Sequence, residues 1–221
     1  MPEADRPAPA PATPGASARR EYERRKANRE RRVRDRHPHV GGLLFTLQEE
    51  PQHERAWARG AAGEVAVAAS LTRRCNDSVV LLHDRRIPGS RANIDHIAIT
   101  PSGVWVIDAK RYSGKVHVSN PVFGPPQLKI DGRNRSKLGA GLSRQVATVR
   151  QALAEARVTV PVSGALCFVD ADLPLTRTLT FEGHLLVYPR ALARRLNASG
   201  DLTGEEAHQV AEILATQFPV A

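Results

Sequence analysis

The sequence predicts an α/β domain in which a mixed central sheet is flanked by helices. Three observations predict it. Short β-branched and apolar runs alternate with longer segments whose apolar residues recur at helical spacing. Two of the short runs, Ile94 to Thr100 and Val104 to Ile107, meet across Thr100-Pro-Ser-Gly103, which is turn chemistry, so they form a hairpin. A continuous apolar run, Ser163 to Val169, follows a helical segment and reads as a buried strand, parallel to a neighbour after a helical crossover.

The chain has 221 residues, enough to bury a core in one domain with additions. No run of 18 or more apolar residues occurs, so no membrane span is expected. The N-terminus lacks an apolar signal core, which points to the cytoplasm. Cys75 and Cys167 lie far apart and read as small buried hydrophobes, and no Cys/His spacing suggests zinc. The net charge is +9, and most of it falls in residues 19–36, where ten basic side chains face four acidic ones. That balance suits an anionic partner, nucleic acid first.

In chain order, residues 1–18 are rich in Pro and Ala and are expected to be disordered. Residues 19–36 are helix formers with Glu21–Arg25 and Glu30–Arg34 at favourable spacing. This basic arm has no apolar stripe, which leaves it little to dock with. It reads either as a phosphate-binding arm or as a solvated tail. Residues 37–53 form a linker with an apolar patch at Leu43, Leu44, Phe45 and Leu47, and the α/β domain occupies 54–221.

The domain opens with a helix from Glu54 to about Arg74, with Trp57, Ala61, Val65, Ala68 and Leu71 as its core face. Val79 to Leu82 is a strand, and His83 to Arg91 a basic loop. The hairpin follows, then a strand at Lys115–Val118 and an edge strand at Leu128–Ile130. Arg133, Arg135 and Lys137 form a basic cluster just before a helix of about Leu142 to Ala156. In that helix Arg144 and Gln145 lie off the Leu142, Val146, Val149, Leu153 stripe. Asp170 and Asp172 end the buried strand in a turn-like loop. Leu185–Tyr188 is the last strand. Pro189 starts a helix, and Thr203 with Glu206 caps the final one.

The hairpin carries the chemistry. With Thr100 facing Gly103, Asp95 faces Asp108, and Lys110 shares that face. Opposed like charges destabilise a sheet unless a cation lies between them. Hard divalent ions take carboxylate oxygens, and a nearby Lys then orients or activates water, or stabilises developing charge. That is the logic of metal-assisted phosphodiester hydrolysis. His96, next to Asp95, points to the other face and reads as structural.

Asp95 followed by Asp108-Ala-Lys110 resembles the Asp…(Asp/Glu)-x-Lys signature of restriction-endonuclease-like nucleases. Gly60-Ala-Ala-Gly-Glu64, Asn93-Ile-Asp-His96 and Gly103-Val-Trp-Val-Ile-Asp-Ala-Lys110 together resemble the nuclease-related domain, NERD, over about residues 57–170. The resemblance implies a restriction-endonuclease-like core and Mg²⁺- or Mn²⁺-dependent cleavage of DNA. It further implies Asp95, Asp108 and Glu64 as metal ligands, Lys110 as the residue acting on water, and Gln145 beside the scissile phosphate or the metal. Asp108 stands where that family usually has Glu. Arg133, Arg135, Lys137 and Arg144 are candidate phosphate contacts. The rival reading is a non-catalytic nucleic-acid-binding module. A phosphate loop, a dinucleotide fingerprint and a nucleophile elbow are all absent, so no organic cofactor is expected. The few aromatic residues argue against stacked readout of single strands.

Overall fold

The computed structural model describes residues 12–36, 52–174 and 178–221. Its elements are α1 (Ala16–Arg36), α2 (Gln52–Arg74), β1 (Val80–Arg86), β2 (Asn93–Thr100), β3 (Gly103–Ser119), β4 (Gln127–Ile130), β5 (Arg133–Asn134), α3 (Lys137–Glu155), β6 (Val162–Asp172), β7 (Leu179–Phe181), β8 (His184–Val187), α4 (Pro189–Leu196) and α5 (Gly204–Gln217). The main sheet runs β1-β2-β3-β6-β8-β7, with β4 on β3 and β5 on β4. β3 pairs with β6, and β6 with β8, in parallel, while the other pairs are antiparallel. The sheet is therefore mixed, as expected. One face is covered by Leu142, Val149 and Leu153 of α3 and Val210 and Leu214 of α5. The other is covered by Val67 and Leu71 of α2 and Leu192 and Leu196 of α4.

The hairpin has the expected register, from Thr100 opposite Gly103 to His96 opposite Ile107. Its turn needs glycine. Gly103 has φ +120, and a Cβ there would stand 2.5 Å from the Pro161 carbonyl oxygen. The two short strands expected at 104–107 and 115–118 form one strand of 17 residues. A bulge between Arg111 and Gly114 absorbs the break, so the first half of β3 pairs inside the sheet and the second half leaves it with β4.

Other expectations are corrected. Residues 83–86 are not loop, because β1 runs through them and buries Asp84 and Arg85. On α2, Val65 is 51 % exposed and Trp57 38 %, and the buried side is Gly63, Val67, Ala68 and Leu71. Both stripes repeat every four residues, and Gly63 allows the closer approach to β3, with Arg111 Cβ 3.1 Å from a notional Cβ. α3 starts at Lys137, five residues before the expected Leu142. β7 was not anticipated. It turns into β8 through Glu182 and Gly183, both at positive φ, the geometry of a two-residue hairpin. The Thr203–Glu206 capping box is formed as expected.

The basic arm docks, contrary to the expectation that it had little to dock with. α1 lies along α2 through small residues and polar contacts rather than an apolar stripe. Ala18 is buried, and a Cβ on Gly15 would come within 2.9 Å of the Ala61 carbonyl oxygen. Arg20 donates to the Ala221 carbonyl, and Arg25 stacks over Trp57 at 5.4 Å. Residues 1–11 and the linker patch around Leu43–Leu47 lie outside the described residues.

Candidate active site

Three adjacent strands put three aspartates in one row. His83 pairs with His96 and Arg85 with Ile94, so Asp84 and Asp95 occupy facing positions between those pairs. His96 pairs with Ile107, so Asp95 and Asp108 come one step later, where the paired ladder between β2 and β3 has ended. Each carboxylate is partnered differently. Asp84, at φ +46, accepts from Ser17 N (2.8 Å), Ser17 Oγ (2.5 Å) and Asn93 Nδ2 (3.3 Å). Asp95 Oδ2 accepts from the Ala109 amide at 2.8 Å. Asp108 is buried and its Oδ1 is ion-paired with Lys110 Nζ. His96 takes the opposite side, as expected, with its Nδ1 2.9 Å from His83 Nδ1. Burial holds both imidazoles below their ordinary pKa, so the pair is neutral.

Glu64 reaches this row from α2, one residue after the Gly63 that sits on β3. Burial, then the Asp84 and Asp108 charges, push its carboxyl up to about 7, against a smaller pull from Lys110. Burial, then Asp108 and Glu64, hold the Asp95 carboxyl well above the usual carboxylate range, despite Lys110 and the Ala109 amide. For Lys110, burial favours the neutral amine. The Asp108 and Asp95 carboxylates more than offset it and keep the ammonium charged above its ordinary pKa. The site therefore holds like charges with too few donors, and one cation among them.

The chemistry of this donor set fits a hard divalent cation. Glu64, Asp95 and Asp108 offer carboxylate oxygens, and a cation among them would relieve the repulsion that raises Glu64 and Asp95. Among the described residues, no three His, Cys, Asp or Glu side chains already stand in a ligating arrangement. Asp108 is committed to Lys110.

Glu64, Asp95 and Lys110 open on a cleft of about 1130 Å³, lined also by Arg133 and Arg135. Arg135 stacks over Tyr112 at 5.4 Å. Of the remaining candidates, Lys137 and Arg144 are exposed and do not line the cleft. Gln145 donates from Nε2 to the Asn93 carbonyl at 3.0 Å, two residues before Asp95, and its buried Oε1 has no hydrogen-bond partner among the described residues. It ties α3 to the strand that carries Asp95. Sequence reasoning missed Asp84, hidden in a stretch read as basic loop. Asp170, read from the sequence as a turn residue rather than a border of the site, lines the cleft, and its ion pair with Arg111 at 2.7 Å joins β3 to β6. The only signal for Asp170 was its place at the end of the buried strand.

Fold and site define a class: an α/β domain whose central hairpin delivers carboxylates and a lysine to a cleft that arginines also line. The chain belongs to the nuclease-related domain (NERD) family, which it matches over residues 59–169. No curated protein and no solved structure matches it.

Proposed function

We propose that the protein is a metal-dependent endonuclease that hydrolyses DNA phosphodiester bonds in the cytoplasm. The observation that supports this reading best is one cleft shared by Glu64, Asp95, Lys110, Arg133 and Arg135, with Asp108 held on Lys110. Asp95, Asp108 and Glu64 are the residues that would hold Mg²⁺ or Mn²⁺. Such an ion, when bound, supplies Lewis acidity and makes water a nucleophile at neutral pH.

The chain's own groups divide the remaining work. Arg133 and Arg135 bind phosphates and orient the backbone over the carboxylates. Lys137 and Arg144, outside the cleft, suit phosphates further along the strand. Lys110 stays protonated, so it is not a base; it stabilises charge that develops on the phosphoryl oxygens. Glu64 completes the metal shell or relays a proton from the attacking water. Gln145 positions Asp95 through the Asn93 carbonyl.

A second reading, a nucleic-acid-binding module without catalysis, is favoured by the ion pair that occupies Asp108 and by the lack of a ready ligating trio among the described residues. Plasmid nicking separates the two. Wild type is expected to nick supercoiled DNA with Mg²⁺ or Mn²⁺ and to be silent in chelator. Lys110→Ala and Asp108→Ala are expected to lose at least about a hundredfold in rate, the scale of one removed charge-stabilising group, while retaining DNA binding. Binding without cleavage in wild type under every metal condition selects the second reading.

A further inference from the structure

The half of β3 that leaves the sheet pairs with β4, and the two strands make a hairpin with residues 120–126 at its tip. Val122 and Phe123 there are each 91 % exposed, whereas the other exposed large hydrophobics among the described residues reach only 38–51 %. An isolated surface apolar residue is ordinary, but two adjacent ones almost wholly in water on a protruding turn need a partner. The tip is flanked by Pro121, Pro125 and Pro126, which restrict the chain and so reduce the entropy lost on insertion.

Charge and position indicate the partner. From Arg111 to Ile130 there is no acidic residue, and acids meet the hairpin at its base, where Asp131 packs on Gly114 and Asp172 pairs with Lys115. Lys115 is exposed on the hairpin stem, and His117 pairs with Lys129 across it. The base of the hairpin, at Tyr112 and Ser113, lines the same cleft as Glu64 and Asp95. Six residue steps lead from Ser113 to Ser119, which places the start of the tip roughly 20 Å from Ser113. That distance is about six base pairs of duplex at 3.4 Å each.

We propose that the β3–β4 hairpin is a duplex-gripping wedge: its basic stem follows the phosphate backbone away from the cleft, and Phe123 inserts at a base step. This rests on the reading of the cleft as a nucleic-acid site. Inserted apolar side chains unstack and kink duplex DNA, most easily at flexible pyrimidine–purine steps. The wedge thus selects for deformable, mismatched or nicked duplex over stiff tracts.

The test uses the full chain and a duplex with 2-aminopurine beside a TA step, in chelator so that no strand is cut. Wild type is expected to raise the 2-aminopurine fluorescence at saturation. Phe123→Ala is expected to abolish the rise and to weaken binding roughly fivefold or more, the scale of one lost base contact. Its melting temperature should stay unchanged, because the side chain touches little. Phe123→Trp should restore the rise. Wild type that binds the duplex without unstacking it, or Phe123→Ala that unstacks it equally well, overturns the wedge and leaves the nuclease reading standing. Unstacking without Mg²⁺- or Mn²⁺-dependent cleavage supports the wedge and removes the nuclease reading. No duplex binding at all removes both. Vesicles of phosphatidylserine and phosphatidylcholine form the last arm: Phe123-dependent binding to them, with Phe123-independent binding to the duplex, overturns the proposal in favour of a membrane surface.

Discussion

Asp84 and Asp95 face each other on neighbouring strands, the first buried and the second half-buried at the cleft, and they are treated in opposite ways. Asp84 collects three donors and turns, through a left-handed backbone, towards the start of α1. Asp95 has one amide donor and two carboxylates for company. A buried carboxylate that serves the fold is satisfied by hydrogen bonds, because leaving it unsatisfied costs stability. A carboxylate left short of donors and pressed against its own kind carries that cost, which a proton relieves and which, on the proposed reading, a bound cation would relieve as well. The contrast is the physical basis for reading Asp84 as a structural acid and proposing Asp95 as a functional one.

The largest effect expected from the comparison lies at Glu64, which feels both aspartate neighbours. Its carboxyl titrates near 7 in the folded protein and near 4.5 when unfolded. Between those values the folded state binds a proton that the unfolded state has released, so stability falls as pH rises through that window. Glu64→Gln should remove this dependence. In chelator at pH 8 it should be more stable than wild type, by as much as about 3 kcal/mol. Urea titrations of both proteins at pH 5 and pH 8 check it, because the neutral His83 and His96 push stability the other way equally in both; an advantage of Glu64→Gln over wild type that does not grow from pH 5 to pH 8 would contradict it.

A smaller effect of opposite sign is expected at Asp84. Asn tolerates a left-handed backbone, so Asp84→Asn isolates the hydrogen bonds. The new amide would face the Ser17 donors, and the cost should be about 1–3 kcal/mol, read as a lowered denaturation midpoint. An unchanged midpoint would mean that the row contains two acids of the same kind.

The smallest effect concerns α1, held by Asp84. Replacing the exposed Arg31, Arg32 and Arg36 with Gln, which leaves Ser17 on Asp84, should weaken DNA binding without abolishing it. The plot of log K against log salt should become shallower by about 0.9 for each phosphate the helix neutralises. An unchanged slope would make α1 a packing element only.

The hairpin and its acids were legible because a strand alternates strictly, and one turn then fixes every facing position. The register from Thr100 and Gly103 followed from the turn residues alone. Glu64 and Gln145 were singled out only through the family's words, since nothing local sets a helix Glu or Gln apart, and Gln145 lies outside the cleft lining. Asp84 was not legible. The word His83-Asp-Arg-Arg has the look of a loop, and the aspartate's burial depends on a helix 67 residues earlier in the chain. The face of α2 was misread because Ala and Val fill both candidate stripes. What decides between them is the close approach at Gly63, a tertiary fact. The docking of α1 was missed for a related reason: small residues and one serine–aspartate contact leave no periodic trace.

The central claim is that Asp95 sits in a strained cluster awaiting a cation while Asp84 does not. Differential scanning fluorimetry of wild type, Asp95→Asn and Asp84→Asn, with Mg²⁺ titrated after chelation, tests it most directly. Asn at 95 keeps an oxygen for the Ala109 amide and removes a charge. Without metal, Asp95→Asn should melt at or slightly above the wild-type temperature, and Asp84→Asn below it. Mg²⁺ should stabilise wild type and Asp84→Asn alike, by about 2.7 kcal/mol at a hundredfold excess over the dissociation constant, and Asp95→Asn far less. A destabilised Asp95→Asn together with a wild type indifferent to Mg²⁺ and Mn²⁺ would contradict the account.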